Sequence, residues 1–376
     1  MEYFAFEGAC LARPGYEPLP PGALRVDGPF EPTIYLFHNL APEAGGLFAQ
    51  AGRTLLNTAY ANCYGVLKRH LSPPASPRLN LVGLGDVGGT VLTGLKLLGH
   101  ELGEIGIYDP DEKRMARYEM ELNQVLPVGE GPLPPVALKT EAALFDCDAL
   151  VFTASRGVPP LGQAGDVRMA QYEANAAMLR AYAGAARSQG FTGLFCQVSD
   201  PVDLLARRVF LDSNRQAGGA FDGCGLLPEQ VQGYGLGVMF ARAAYYARQE
   251  GVDFRSGRAF GPHGEGLVIA NAPGPGAYDD GLSRRLTDLA RTANHRVRDL
   301  GFKPYIAPGL SSACASILRT LRGEWHYGAV PIGGVYFGCR SRFGPAGLER
   351  FAEGELDPRL LERLAESYRA LQVFPL

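Results

Sequence analysis

Residues 79–109 carry a pattern that few folds accommodate. Leu79-Asn80-Leu81-Val82 has the length and largely apolar composition of a buried parallel strand. It runs into Gly83-Leu84-Gly85-Asp86-Val87-Gly88-Gly89, then a helical stretch, then Ile105-Gly106-Ile107-Tyr108-Asp109. Each glycine has its own task. Gly83 permits a tight strand-to-helix turn, Gly85 lets backbone approach a pyrophosphate, and Gly88 lets the helix pack closely on the strand. The helix that follows points free N–H groups and the positive end of its dipole at the phosphates. A carboxylate about 20 residues past such glycines accepts hydrogen bonds from the adenosine ribose, and Asp109 stands at that place. The order of strand, glycines, helix, strand and acid predicts a dinucleotide site. The acid favours NAD, because a carboxylate there repels the extra phosphate of NADP and no arginine follows it directly. Lys113 and Arg114 lie slightly further on and keep NADP possible.

Composition narrows the class. A chain of 376 residues buries more than one core, so at least two domains are expected. The formal net charge is −3 with Lys and Arg scattered, which leaves no electrostatic footprint for nucleic acid or an anionic membrane. The cysteines (Cys10, Cys63, Cys147, Cys196, Cys224, Cys314 and Cys339) are odd in number and form no CxxC pair. They read as thiols of a reducing compartment rather than as a disulfide frame or zinc site. No His/Asp/Glu cluster shows ligand spacing, so no metal is expected. Residues 79–99 are apolar enough to resemble a membrane span, but Asp86, Lys96 and the glycines suit the nucleotide turn better. The Met1-Glu2 start has no basic region or long apolar core, so no secretory leader is expected and the protein is read as cytoplasmic.

Three regions follow from the patterning. Residues 1–77 form an N-terminal extension with a proline-rich stretch, a short strand candidate at Thr33–Phe37 and a helix predicted from about Gly46 to His70. In that helix Leu47, Ala51, Leu55, Ala59 and Cys63 give one apolar face. Ser72–Pro77 reads as a linker. Residues 78–202 alternate strands (79–84, 105–108, 135–139, 149–153 and 193–198) with helices (86–98, 111–124 and 168–188). Such alternation implies an α/β, Rossmann-type, doubly wound parallel sheet. Residues 203–376 mix helices and short strands as an α+β substrate domain. In it, Pro331–Gly338 is read as a strand with tight turns and a closing helix is placed near 357–372.

Several segments over about 78–375 together resemble the lactate/malate dehydrogenase superfamily. Asp148–Ser155 is similar to its strand ending in Thr-Ala-Gly, with Ser155 in place of the glycine. Arg168 and Asn175, seven residues apart, match the arginine of its mobile loop and the asparagine after it. Val198-Ser199-Asp200-Pro201-Val202-Asp203 resembles its Ser-Asn-Pro-Val-Asp motif, and Gly261-Pro262-His263-Gly264-Glu265 the motif of its catalytic histidine. The resemblance implies hydride transfer between nicotinamide and a secondary alcohol carbon of a small hydroxy/oxo substrate. His263 would be the acid/base and Arg168 the carbonyl polariser. Gly83, Gly85, Asp86, Val87, Gly88, Asp109, Thr153, Ala154, Ser155, Asn175 and Val198 would line the cofactor. A homodimer or homotetramer is also implied.

Departures from that pattern fall where the substrate binds. The family's Leu-Asp-x-x-Arg segment supplies a histidine-orienting aspartate and a carboxylate-clamping arginine. Here the aligned residues are Gly237 and Phe240. Asp200 replaces an asparagine. Two opposite charges about 4 Å apart at an effective dielectric near 20 attract by roughly 4 kcal/mol, so these are not cosmetic changes. Phenylalanine cannot imitate a bidentate clamp. Two readings are consistent with this. In the first, Asp200 serves as the carboxylate near His263, and recognition moves to the lengthened 156–163 loop, with Arg156, Phe240 and Ser311 as substrate contacts. The substrate would then be a non-standard 2-hydroxy acid or a related carbonyl compound. In the second, the fold binds NAD(H) but is catalytically silent, a regulatory or assembly protein. Arg242, two residues past the lost clamp, is an alternative anion contact, though helical geometry is expected to point it elsewhere.

Overall fold

The structure, a computed structural model, describes residues 72–127, 131, 133–156, 167–216, 218–302, 307–344 and 347–375. It also describes short pieces of 1–71 (5–6, 9–11, 34–36, 54–56, 60–62, 65–66 and 69). The side chains at 167–170 and 307–311 lie outside that description, as do those of the pieces before residue 60.

The alternation seen in the sequence becomes β5 (Arg78–Val82), α1 (Asp86–Leu98), β6 (Glu104–Tyr108), α2 (Glu112–Asn123), β7 (Val136–Leu138), β8 (Ala149–Phe152), α3 (Val167–Ser188) and β9 (Leu194–Gln197). Next come α4 (Val202–Ser213) and β10 (Val231–Gly233). The strands lie in the order β7-β6-β5-β8-β9-β10, every neighbouring pair parallel. In chain order of these six this is 3-2-1-4-5-6, the doubly wound Rossmann order. Beyond β10 the sheet continues antiparallel through β13 (His326–Ile332), β14 (Val335–Gly344) and β15 (Gly347–Arg350). The segment read as one strand near Pro331–Gly338 is a hairpin. Gly333 and Gly334, with φ of +52° and +90°, form its two-residue turn, where both central positions need the left-handed region.

Around this sheet lie α5 (Leu236–Gln249), the β11 (Arg258–Phe260) and β12 (Val268–Ala270) hairpin, α6 (Asp280–Asp299), α7 (Ala307–Leu321) and α8 (Pro358–Gln372). Side-chain caps mark several helix starts. Asp111 accepts from the Lys113 and Arg114 amides, Asp279 from Leu282, and Asp357 from Arg359 just past Pro358. Leu79, Leu81, Leu150, Val151 and Phe195 are fully buried, as strands covered on both faces must be.

Before residue 60, β1 (Ala5–Phe6), β2 (Ala9–Leu11), β3 (Ile34–Leu36) and β4 (Thr54–Leu56) form a separate sheet in the order β1-β2-β4-β3. The strand expected at Thr33–Phe37 matches β3. The helix expected across Gly46–His70 does not hold at 54–56. There β4 pairs with β2 on one side and β3 on the other, so sheet partners satisfy its backbone and override the four-residue spacing. Among the described residues no helix is long and apolar enough to cross a membrane.

Candidate active site

The carboxyl ends of β5, β6, β8, β9 and β10 open on one edge of the sheet, where doubly wound folds place their ligands. At the first of these ends Gly83 turns with φ +93°. A Cβ there would lie 2.6 Å from the N and Cα of Ala154, and one on Gly88 would lie 1.8 Å from the Gly83 carbonyl. A Cβ on Gly85, by contrast, would meet nothing within 4 Å. Gly85 is the N-cap of α1 and supplies no side-chain cap, so first-turn N–H groups face open space. Thr153 closes the turn from β8. Its hydroxyl lies 2.7 Å from the Gly83 carbonyl and 2.9 Å from that of Val82. Asp86 and Val87 occupy the first helical turn.

Asp109, buried at the end of β6, accepts the Leu84 amide on Oδ2 (2.7 Å) and the Asp111 amide on Oδ1 (2.9 Å). Arg114 approaches Oδ2 at 3.4 Å. Each carboxylate oxygen accepts more than one bond, so Oδ1 retains capacity for a hydroxyl. An open helix N-terminus and an acid across from it fit the two ends of an adenosine diphosphate.

A second cluster forms where β9, α5 and the β11–β12 loop meet. The loop turns at Gly261, Gly264 and Gly266, with φ of +80°, +117° and +87°, which brings His263 beside the start of α5. The backbone N–H of His263 donates to Asp203 Oδ2 (2.8 Å), and the ring Nδ1 lies 3.0 Å from the Gly235 carbonyl. A carbonyl only accepts, so Nδ1 carries the proton and Nε2 is left as the acceptor. Nε2 lies 3.8 Å from Asp200 Oδ1. The His263 side chain is 13% exposed and that of Asp200 51%. Asp203 is buried, and desolvation pushes its carboxyl up to about 6 against the pull of the His263 N–H.

The departures noted in the sequence have definite structural fillings. A Cβ on Gly237 would sit 2.6 Å from Ser316 Oγ of α7, so the hydroxyl already occupies that space. Phe240 stacks on Tyr327 (centroids 4.4 Å apart, 23° between planes) and packs at a tilt on Phe254. Arg242 reaches from α5 towards α6, where Nη1 lies 3.4 Å from the Ala290 carbonyl, while its Nε is buried without a hydrogen-bond partner among the described residues.

Other sequence-selected residues fall around this edge. Asn175, fully buried on α3, donates to the Asp200 carbonyl (2.7 Å) and accepts the Arg156 amide (2.9 Å), with Ser155 Oγ 3.3 Å from its nitrogen. Asn175 thus ties β8 to the loop bearing Asp200. Val198 is buried and its amide donates to Phe152. Arg156 is exposed. Arg168 lies in the first turn of α3 and Ser311 in α7, with side chains outside the described residues, as is the loop 157–166. The sequence reading passed over Asp203, Gly235, Ser316 and Tyr327. Asp203 closes the Ser199–Asp203 motif and was the one with a visible signal. The rest depend on long-range packing.

No protein-family model matches the chain. An L-lactate dehydrogenase of Corynebacterium efficiens is 26% identical over 329 residues, 79% of this chain and 97% of that relative. One from Staphylococcus saprophyticus is 29% identical over 193 residues, and the match spans 50% of this chain and 55% of the relative. Among solved structures, the minor L-lactate dehydrogenase of Enterococcus mundtii superposes with a TM-score of 0.64 at 20% identity, covering 80% of this chain and 97% of that one. The malate dehydrogenase of Archaeoglobus fulgidus, solved with NADH, gives 0.64 at 19% identity, covering 78% and 97%. The chain is thus similar in sequence to L-lactate dehydrogenases and shares the fold of lactate and malate dehydrogenases. At the positions where the sequence departs from the pattern it resembles, Gly237, Phe240 and Asp200 stand around or near His263.

Proposed function

We propose that the protein is an NAD-dependent oxidoreductase that interconverts a secondary alcohol and a carbonyl compound. One observation carries this reading. His263 is pinned by Asp203 and Gly235, which leaves Nε2 as its acceptor 3.8 Å from Asp200. A binding protein without turnover has no need to fix a histidine tautomer there. The silent NAD(H)-binding alternative therefore ranks second.

When bound, NAD supplies or accepts the hydride at the carbinol carbon. Gly83, Gly85 and the α1 N-terminus would hold its pyrophosphate, and Asp109 its ribose hydroxyls. His263 Nε2 would give a proton to the substrate oxygen during reduction and take it back during oxidation. The Gly235 carbonyl keeps the ring oriented in both states, as a carboxylate would, but as a neutral dipole. Asp200 supplies the formal charge instead, from the Nε2 side. At 3.8 Å a pair of opposite charges is worth about 4 kcal/mol at a dielectric near 20. Half-exposure of Asp200 reduces this towards about 1 kcal/mol. Arg168, in the first turn of α3, would polarise the carbonyl.

The decisive experiment follows NADH oxidation with a panel of 2-oxo acids, neutral ketones and aldehydes, with His263→Asn as control. Turnover that depends on His263 supports the dehydrogenase. NADH binding, seen by fluorescence, without turnover of any panel member supports the silent binder.

A further inference from the structure

We infer that the substrate carries a hydrogen-bond donor, a hydroxyl or an ammonium, beside the reacting carbonyl, in place of the carboxylate of a 2-oxo acid. This rests on the dehydrogenase reading above.

The charge lining of the site carries the inference. The clamp position holds Phe240, whose ring is committed to Tyr327 and Phe254. The nearest cation along α5, Arg242, places Nη1 3.4 Å from the Ala290 carbonyl and leaves its buried Nε without a hydrogen-bond partner among the described residues, and its guanidinium lies within the attraction of Asp200. The space at Gly237 is taken by the Ser316 hydroxyl, which is neutral. Among the described residues, the charged group beside His263 Nε2 is the carboxylate of Asp200, half exposed and 3.8 Å away. For a substrate oxygen hydrogen-bonded to Nε2, a carbon substituent on the Asp200 side of the carbonyl approaches that carboxylate. A carboxylate there meets a like charge, whereas a hydroxyl or ammonium donates to an ionised acceptor. After discounting for solvent, the repulsion alone is worth on the order of 10-fold in kcat/KM.

The step balances as a carbonyl reduction. The carbonyl carbon receives the hydride from NADH and the oxygen a proton from His263, so one ketone becomes a secondary alcohol as one NADH is oxidised.

Four methyl ketones that differ at one substituent test this: hydroxyacetone, aminoacetone, acetone and pyruvate, each with saturating NADH. Hydroxyacetone and aminoacetone are expected to exceed pyruvate in kcat/KM by about 10-fold or more, with acetone between. Asp200→Asn, which keeps size and removes charge, is expected to reduce the hydroxyacetone-to-pyruvate ratio by about the same factor. Preference for pyruvate in the wild type, or an unchanged ratio in Asp200→Asn, overturns the inference. Turnover in the wider panel with no favour for donor-bearing ketones overturns it while leaving the dehydrogenase reading intact. Failure of every carbonyl compound overturns both.

Discussion

The Gly235 carbonyl accepts the Nδ1–H of His263 at 3.0 Å, and the lack of a side chain at Gly235 is what admits the ring. A Cβ there would stand 2.7 Å from His263 Cβ and Cγ. The backbone of Gly235 has φ −129°, open to any residue, so the requirement is for space alone. Gly235→Ala is therefore expected to fold yet move the imidazole. A displacement near 1 Å costs about 100-fold in kcat. Circular dichroism alongside steady-state rates checks this, and an unchanged kcat would show that the ring position does not matter.

Asp203 makes stability depend on pH in a direction unusual for a carboxylate. Burial raises its folded value to about 6 from 3.8, so its contribution is fully present below about pH 4 and is lost as pH rises through 6. The loss amounts to roughly 3 kcal/mol. Asp203→Asn retains an acceptor for the His263 N–H and has no proton to lose. Urea unfolding should show the variant gaining on the wild type between pH 4 and 7.5. A gap that stays constant across that range would sink the assignment.

His326 works the other way. It is buried, stacked on Tyr234, and bonded to Thr320 Oγ1 (3.1 Å), and desolvation lowers it to about 4 from 6.5. The fold requires it neutral, so its contribution is present above pH 6.5 and disappears as pH falls through 4, by roughly 3 kcal/mol. His326→Gln should flatten the acid limb of the stability curve. If the variant loses stability with acid as steeply as the wild type, another group is responsible.

At Gly237 the contact with Ser316 can be measured as a coupling. Gly237→Asp is expected to cost about 1–3 kcal/mol from overpacking. Ser316→Gly should recover part of that cost in the double variant, which makes the two changes non-additive by more than about 0.5 kcal/mol. Additive effects in chemical denaturation would mean that the hydroxyl does not fill the space.

Much of this architecture was legible along the chain because its signals are local. The Gly83–Gly88 turn, the helix over Asp86–Leu98 and the strand ending before Asp109 each follow from glycine spacing and apolar runs, and the structure places them within a residue or two. The 54–56 strand was not legible, because Thr54-Leu55-Leu56 owes its conformation to partners some 20 and 45 residues upstream. The same division holds at the site. His263 and Asp200 were marked by motifs, and they lie 3.8 Å apart. The Gly235 carbonyl beside Nδ1 was invisible, since every residue has a carbonyl and only folding aims one. Ser316 and Tyr327 were hidden for a related reason. They fill space left by Gly237 and beside Phe240 from elements about 80 and 90 residues away, and no spacing rule spans such distances.

The Ser316 hydroxyl in the hollow beside Gly237 makes that position a test of tolerance, because any side chain there begins with a Cβ 2.6 Å from this oxygen. A residue larger than glycine therefore fits only if Ser316 turns its hydroxyl to another rotamer or gives way to a smaller residue. What α5 can present towards His263 is in this way limited by a side chain on α7.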